Sequence, residues 1–355
     1  MHILIATDAW KPQINGVVRT YENLRRELER LGHSVTVLSP SNFATLPCPG
    51  YPEIRLALPR FSHVADYVLR SGAEHVHIAT EGPIGWATRA ICLRHRVRFT
   101  TSFHTRFPEY IEAYTGLPAG MSYAVQRRFH RSGIGTLVAT PSLKDDLERR
   151  GFDRLMLWSR GVDTLQFRPR DCGSARRSEP TFLYVGRVSR EKNVEAFLNL
   201  DLPGRKVVVG DGPLLATLRK RYPQANFKGA KTGEDLALEY ASADVFVFPS
   251  RTDTFGLVML EAMASGLPVA AYPVMGPVDV VTHGVTGILS DDLRAAALTA
   301  LSLDPATVRA QAMRHDWSLV GANFLDLVYE ARRAAGYVKP ASRLPVVRRS
   351  PRPVA

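Results

Sequence analysis

The sequence has little that could cross-link it or anchor it in a membrane. Its 355 residues include only three cysteines, Cys48, Cys92 and Cys172, without the short spacings of a metal site. An odd and sparse set argues against a disulfide framework and favours a reducing compartment. No apolar run approaches the roughly 18 residues of a membrane-spanning helix. The start, MHILIATDAW, has neither a basic leader nor a cleavage site, so we expect a cytoplasmic protein.

Positive charge is in excess and unevenly distributed. The net charge is +12, with seven excess basic residues in 1–160, five in 339–355 and none in 161–338. Such a balance fits an anionic membrane surface, a nucleic acid or simply a solvated surface. The sequence has no basic run interleaved with aromatics, no zinc-ligand pattern and no helix-turn-helix signature. Nucleic-acid binding is therefore the least favoured of the three, and we expect none.

Short apolar runs alternate with helical patterns along the chain. A buried strand over His2–Ala6 leads through a polar loop into a helix, and a second strand follows over residues 35–38. Apolar residues recur at helical spacing in that helix: Val17, Tyr21, Leu24, Leu28 and Leu31. Strand, helix and parallel strand in this order form a βαβ unit, the basis of a doubly wound sheet. A second such series begins at residue 181, which predicts an α/β fold with two Rossmann-like domains.

This pattern divides the chain into four segments. We expect one Rossmann-like domain over residues 1–165 and another over residues 166–312, with the turn-rich stretch SRGVDTLQFRP near the boundary. Helices over residues 313–336 follow. Residues 337–355 form a basic tail that we expect to be disordered, because it contains prolines and basic residues but little to bury.

The stretch PSRTDTFGLVMLEAMASGLPVAA is the most informative one. It predicts a loop that carries Asp253, a short helix whose first turn is Phe255, Gly256 and Leu257, and Glu261 in the second turn. The start of a helix offers free N–H groups and partial positive charge to a phosphate, and a carboxylate accepts sugar hydroxyls. The alternative for each carboxylate is structural, as a helix cap or on a solvated face.

Two flanking strands strengthen the ligand interpretation. Apolar runs at 243–249 and 267–271 enclose the loop and helix, so the loop follows a parallel strand at its carboxyl end, where α/β sheets bind ligands. Arg187 and Lys192 follow the first strand of the second half in YVGRVSREKN. A guanidinium and an ammonium group in that position suit a diphosphate, although a solvated basic loop is the alternative.

These motifs resemble a known family. FGLVMLEAMASGLPVAA, preceded by an acidic residue, resembles the E-x7-E region of glycosyltransferase family four, whose members are retaining, metal-independent enzymes of the GT-B fold. Asp253 stands where the family more often has Glu, and Arg187 with Lys192 matches the family's phosphate pair. HIATEGPIGWA and GVVRTYENL resemble bacterial GDP-mannose-dependent mannosyltransferases and sulfolipid or glycolipid synthases most closely.

The resemblance also implies roles for residues outside the two main motifs. Gly16, in an Asn-Gly step before the first helix, would face the donor phosphate, with a plain turn as the alternative. His104, in the pattern F-H-T, would contact a sugar hydroxyl or help to stabilise the transition state, with a packed histidine as the alternative. Lys228 would lie near the nucleotide base, and the helices of residues 313–336 would cross back onto the first domain.

The implied reaction is the transfer of a hexose from GDP-mannose, UDP-glucose or UDP-glucuronate. The catalytic candidates are His104, Asp253, Arg187 and Lys192, and the acceptor would be a glycolipid or diacylglycerol at the inner face of the plasma membrane. No nucleophile is evident, and no cofactor is expected. No Asp-x-Asp occurs in the sequence, and His and Cys are too dispersed for zinc, so we predict no metal. A non-catalytic sugar-binding protein, an enzyme with a soluble acceptor and an epimerase are the alternatives.

Overall fold

The computed structural model describes residues 1–13, 15–48, 51–109, 112, 116, 118–170 and 179–336, so the predicted tail lies outside the described residues. The first half contains β1 (His2–Ala6), α1 (Gly16–Arg30), β2 (Ser34–Leu38), β3 (Thr45–Cys48), β4 (Tyr51–Ala57), α2 (Phe61–Arg70), β5 (His75–Ile78), α3 (Pro83–Arg94), β6 (Phe99–Phe103), α4 (Ala119–His130), β7 (Thr136–Val138), α5 (Pro141–Arg149) and β8 (Leu155–Leu157).

The second half contains β9 (Thr181–Val185), α6 (Val194–Leu198), β10 (Arg205–Val209), α7 (Leu215–Arg221), β11 (Asn226–Gly229), α8 (Gly233–Ala241), β12 (Val245–Phe248), α9 (Leu257–Ala264), β13 (Val269–Ala271), α10 (Pro277–Val280), β14 (Gly287–Leu289), α11 (Leu293–Ala300), α12 (Pro305–Ala312) and α13 (Trp317–Ala334). We call residues 1–160 the first lobe and residues 179–312 the second lobe. No helix in the described part of the chain is long and apolar enough to cross a bilayer.

Each lobe is built on a six-stranded sheet. The strand order is β2-β1-β5-β6-β7-β8 in the first lobe and β11-β10-β9-β12-β13-β14 in the second, and β3 with β4 forms a separate two-stranded sheet. Neighbouring strands in both large sheets are parallel, as in the pairs β1–β5 and β9–β12. The predicted α/β class with two doubly wound sheets is therefore confirmed.

The direction of strand order reverses once in each sheet. In the second lobe the reversal falls between β9 and β12, where Val245 pairs with Phe182 and Phe246 pairs with Leu183. Every residue of these two strands is buried, as expected for strands covered by helices on both faces. The loops after β9 and β12 therefore start side by side, at the point where doubly wound sheets bind ligands.

The last helix packs on the first lobe. Helix α13 buries Trp317, Phe324 and Val328 in one apolar cluster with Tyr21 of α1. The indole Nε1 of Trp158 also donates a hydrogen bond to the carbonyl of Val320, at 3.1 Å. Since helices α11 and α12 belong to the second lobe, the chain passes from one lobe to the other twice.

Candidate active site

The loops after β9 and β12 bring two predicted residues together. Lys192, in a short 3-10 turn after β9, forms an ion pair with Oδ1 of Asp253. Among the described residues, the buried Oδ2 of Asp253 has no hydrogen-bond partner. Arg187 lies between β9 and that turn, and its carbonyl accepts a hydrogen bond of 2.8 Å from the hydroxyl of Tyr184. The site thus places the ammonium group of Lys192 against a carboxylate whose other oxygen can accept a further hydrogen bond, and Arg187 belongs to the same loop.

The helix after this loop begins later than predicted. Gly256 has a φ of +82° and is the N-cap, and α9 starts at Leu257. The prediction that Phe255 and Gly256 belong to the first turn is therefore wrong. This left-handed conformation favours glycine, and a Cβ on Gly256 would also lie 3.0 Å from the ring of Phe248. Phe255 is buried in the core of the second lobe.

A glycine from the next loop supports the backbone of Asp253. Gly276 has a φ of +91°, and a Cβ there would lie 2.7 Å from the carbonyl oxygen of Asp253. The Cβ would be fixed to the backbone and the carbonyl oxygen is part of it, so neither atom could move aside by rotation of a side chain. The position of the carboxylate therefore depends on the absence of a side chain at residue 276.

Residues of the first lobe meet this loop and helix across the cleft. Thr254 donates a hydrogen bond from Oγ1 to the carbonyl of His104, at 2.9 Å. A Cβ on Gly16 would lie 3.3 Å from Cδ1 of Leu257, so the start of α1 touches the start of α9. Gly16 and His104, predicted from separate motifs, thus lie along the same interface as the second-lobe candidates.

Glu261 is buried, although a glutamate in the middle of a helix usually faces solvent. It is 6% exposed, and its two oxygens have different partners. Oε1 accepts from Nη1 of Arg19 at 2.9 Å, and Oε2 accepts from the hydroxyl of Tyr240 at 2.9 Å. Burial raises the pKa of Glu261, and the charge of Arg19 and the hydrogen bond from Tyr240 oppose that rise.

A cavity of about 510 Å³ adjoins Glu261 between the lobes. Its size is in the range of small-molecule sites. Its lining includes Arg19 and Glu22 of α1, Asp163 after the first lobe, and Gly233, Leu257 and Glu261 of the second lobe. Lys228 is an exposed residue of β11 and is not among the lining residues in the described part of the chain. The role of Lys228 near the nucleotide base therefore stays a prediction.

Both ring nitrogens of His104 are engaged within the first lobe. Nδ1 lies 2.9 Å from Nη2 of Arg160, and Nε2 lies 2.9 Å from the hydroxyl of Tyr21. Because arginine can only donate, Nδ1 accepts, and the proton of the neutral ring is on Nε2. Burial and the charge of Arg160 hold the pKa of His104 well below its ordinary value. A bond from the ring to a sugar hydroxyl would have to replace one of these two partners.

The hydrogen bonds of His104 continue into the core of the first lobe. The hydroxyl of Tyr21 also contacts Nε2 of His77 at 2.9 Å. His77 and His75 both bond to Oγ1 of Thr100, at 2.9 and 2.8 Å. Burial lowers the pKa of His75 to about 3 and that of His77 well below its ordinary value. We call His75, His77 and His104 the buried histidines.

Arg19, Tyr240, Tyr21 and Arg160 are absent from the sequence-based candidates. Arg19 lies one helical turn after Gly16, and Arg160 lies in the turn-rich stretch after β8, so both arginines are close in sequence to features that the motifs indicate. Tyr21 belongs to the predicted apolar face, and a buried hydroxyl cannot be distinguished from a packed ring by spacing. Within the described segments, no group of three His, Cys, Asp or Glu side chains is placed to hold a metal ion.

Solved structures with the same architecture include glycosyltransferases. Sucrose-phosphate synthase from Thermosynechococcus elongatus superposes with a TM-score of 0.73 at 22% identity, over 94% of this chain and 99% of that one. Anabaena Alr3699/HepE, solved with UDP-glucose, gives a TM-score of 0.71 at 15% identity, over 93% and 100% of the two chains. Two parallel-sheet lobes around a cleft are the GT-B fold, which confirms the predicted architecture.

Sequence comparisons identify the family. The profile described as Glycosyltransferase Family 4 matches residues 14–166, and the one described as Glycosyl transferases group 1 matches residues 179–303. The GDP-mannose-dependent alpha-mannosyltransferase of Mycobacterium tuberculosis is 31% identical, over 81% of this chain and 83% of that protein. The chain belongs to glycosyltransferase family 4, as its motifs predict, and is a glycosyltransferase of the GT-B type.

Other relatives have different names. The sulfoquinovosyl transferase SQD2 of Arabidopsis thaliana is 31% identical over 78% of this chain, and the alignment spans 61% of the plant protein. The alpha-monoglucosyldiacylglycerol synthase of Streptococcus pneumoniae is 26% identical, over 86% of this chain and 79% of that protein. Family membership therefore leaves several sugars and acceptors open.

Proposed function

We propose that this protein is a retaining, metal-independent hexosyltransferase that transfers a hexose from a nucleotide sugar to a membrane lipid. The observation that carries the proposal is the meeting of separately predicted residues along one interface, from which Leu257 and Glu261 also line a cavity of about 510 Å³. Gly16 touches Leu257, His104 bonds to Thr254, and Lys192 pairs with Asp253. Such a cleft suits a donor that spans a nucleoside, a diphosphate and a sugar.

Each donor contact has a chemical reason. Arg187 and Lys192 stabilise the diphosphate, which gains negative charge as the sugar departs. Glu261 accepts the ribose hydroxyls, for which hydrogen bonds to a charged group contribute about 1.5–3 kcal/mol. Asp253 orients the hexose through Oδ2, whose lack of a partner among the described residues supports that role. The backbone at Phe255, Gly256 and Leu257 lies against the sugar or phosphate.

The proposed reaction needs no protein nucleophile. The bond between the anomeric carbon and the phosphate oxygen breaks, and the acceptor oxygen bonds to the same face of that carbon. The departing phosphate oxygen takes the acceptor's proton, so atoms and charge balance. His104 assists by fixing the first-lobe edge of the cleft, through its carbonyl on Thr254 and its ring on Arg160 and Tyr21.

The donor is GDP-mannose, UDP-glucose or UDP-glucuronate. Relatives named for GDP-mannose and a structural neighbour solved with UDP-glucose support the first two. The name of the streptococcal relative supports an acceptor built on diacylglycerol. Reaction at a lipid headgroup would require the enzyme to bind peripherally to a membrane. We propose that this membrane surface is the inner face of the plasma membrane.

Helix α4 supports this peripheral binding. Met121 and Val125, one turn apart, are 66% and 55% exposed. Arg127, Arg128 and Arg131 are exposed at the end of the same helix. An apolar stripe beside basic side chains suits the boundary of an anionic bilayer.

The proposal is tested by a screen of the three donors against lipid extracts with EDTA present. We expect one donor to give a glycolipid, identified by mass, that keeps the anomeric configuration of the donor. An inverted product, or loss of turnover with EDTA, would contradict the proposed mechanism. Transfer to soluble sugars with none to lipid would contradict the proposed acceptor, and release of the nucleotide without a glycoside would favour an epimerase.

Flotation with vesicles tests the membrane surface separately. We expect binding to phosphatidylglycerol vesicles that weakens with salt and with the double substitution Met121→Ser and Val125→Ser. Leu238→Ser is the control, because Leu238 is 42% exposed in the second lobe. Equal binding by the double variant and the control would exclude α4 as the contact surface.

A further inference from the structure

The ion pair between Arg19 and Glu261 joins the two lobes at the ribose site. Arg19 belongs to α1 in the first lobe, and Nη1 donates to Oε1 of Glu261 at 2.9 Å. Gly16 is three residues before Arg19, and Leu257 is four residues before Glu261. The two contacts, Gly16 on Leu257 and Arg19 on Glu261, therefore lie one turn apart along two facing helices. The pair is part of the α1–α9 interface and not an isolated surface bridge.

The pair leaves Glu261 able to bind a ligand. An ionised carboxylate has about four acceptor positions, and Arg19 and Tyr240 use one on each oxygen. Ribose hydroxyls can therefore bind without displacing either residue. Because the Glu261 side chain is 8% exposed, a cationic neighbour matters more there than it would in water.

We propose that Arg19 is a positioning residue for the donor: it holds the Glu261 carboxylate charged and aimed at the ribose, so that the first lobe completes the nucleotide site of the second. This inference rests on the proposed function, which makes Glu261 the ribose contact. Arg19 acts through Glu261 and does not need to touch the reacting atoms. Its side chain remains 34% exposed and lines the cavity.

Other charged groups also face the cavity and have to be considered. Tyr240 of α8 contacts Glu261 directly, at 2.9 Å. Lys11, Glu22, Arg26 and Asp163 line the same cavity. Lys11 and Glu22 form an ion pair of 2.6 Å with each other. Removal of Arg19 therefore takes away the cation that contacts Glu261 and leaves the surrounding charges unchanged.

The test measures the affinity of the full-length protein for UDP and for GDP by calorimetry between pH 5.5 and 8. We expect Arg19→Gln to raise the dissociation constant of the preferred nucleotide about tenfold at neutral pH. We also expect the affinity of this variant to begin to fall at a higher pH than that of the wild type. Below that pH the affinity should fall by up to about tenfold per pH unit. Arg19→Lys, which keeps the charge, should restore most of the affinity.

Two further variants separate the possible outcomes. Arg25→Gln removes an exposed arginine of α1 that pairs with Glu29, and should bind as the wild type does. In Glu261→Gln, adding Arg19→Gln should cause no further loss, because Arg19 acts through the carboxylate. Two results would overturn this inference but not the proposed function. One is that the losses of affinity in Arg19→Gln and Glu261→Gln add in the double variant. The other is that Arg19→Gln binds the nucleotide more weakly but keeps the pH profile of the wild type. Unchanged affinity in Glu261→Gln would overturn the proposed function and the inference with it.

Discussion

We expect the free energy of unfolding to fall steeply below pH 6.5, because the buried histidines are neutral in the folded protein. Burial lowers the pKa of His75 to about 3, and those of His77 and His104 well below their ordinary value. In the unfolded chain they take up protons near pH 6.5. Between pH 6.5 and the lowered pKa values of the folded protein, the unfolded state binds more protons than the folded state. The contribution of the buried histidines to stability is therefore fully present above pH 6.5 and is lost as the pH falls.

The size of the effect follows from the number of protons. Each proton taken up only on unfolding lowers the stability by about 1.4 kcal/mol per pH unit. From pH 6.5 to pH 5 His75 therefore costs about 2 kcal/mol, and His77 and His104 lower the stability in the same direction. Domains are stable by about 5–15 kcal/mol, so the loss is a large fraction of the total. Asp8 and Glu261, whose pKa values burial raises, act in the opposite direction at the acidic end.

Substitution of one histidine separates its contribution to the pH dependence of stability from those of Asp8 and Glu261. In His75→Gln the side chain can still bond to Thr100 but does not titrate. We expect its loss of stability between pH 7.5 and pH 5, measured by urea unfolding and circular dichroism, to be about 2 kcal/mol smaller than that of the wild type. His95→Gln makes the same change at an exposed position and is the control. An equal loss in His75→Gln and the wild type would mean that His75 is not neutral in the folded protein at pH 5.

Two further substitutions test the active site. Gly276→Ala should lower kcat/KM and the melting temperature more than Gly284→Ala does. Both glycines have positive φ, but the new methyl group would meet the carbonyl of Asp253 only at residue 276, whereas no atom lies within 4 Å at residue 284. Equal effects would mean that the close contact is unimportant. Lys192→Gln should lower kcat/KM about 10–150-fold through loss of a charged hydrogen bond, with Lys220→Gln of α7 unchanged. Wild-type kinetics in Lys192→Gln would contradict its role.

Local patterns predict this fold well, because its strands are buried on both faces and its helices are amphipathic. The predicted strand over residues 243–249 is observed as Val245–Phe248, and helix α1 buries Tyr21, Leu24 and Leu28 of its predicted face, whereas Val17 is half-buried and Leu31 is exposed after the helix end. The start of α9 was missed because a left-handed glycine ends the loop there, and helical spacing does not reveal the backbone angle of Gly256.

The site was predictable where a motif follows a strand. Lys192 and Asp253 each follow a strand at the reversal of the sheet, so topology alone brings them together. Arg19, Tyr21 and Arg160 act through contacts with residues at least 56 positions away. Such contacts depend on how the lobes and layers pack, and a single sequence contains no local pattern for them.

The most direct test of a ribose site at Glu261 compares a ribonucleoside diphosphate with its 2′,3′-dideoxy analogue, titrated into the wild type and Glu261→Gln with EDTA present. We expect the wild type to bind the ribonucleotide about 10–150-fold more tightly than the analogue, and Glu261→Gln to lose most of that preference. Equal preference in both proteins, or binding only when a divalent ion is added, would contradict it.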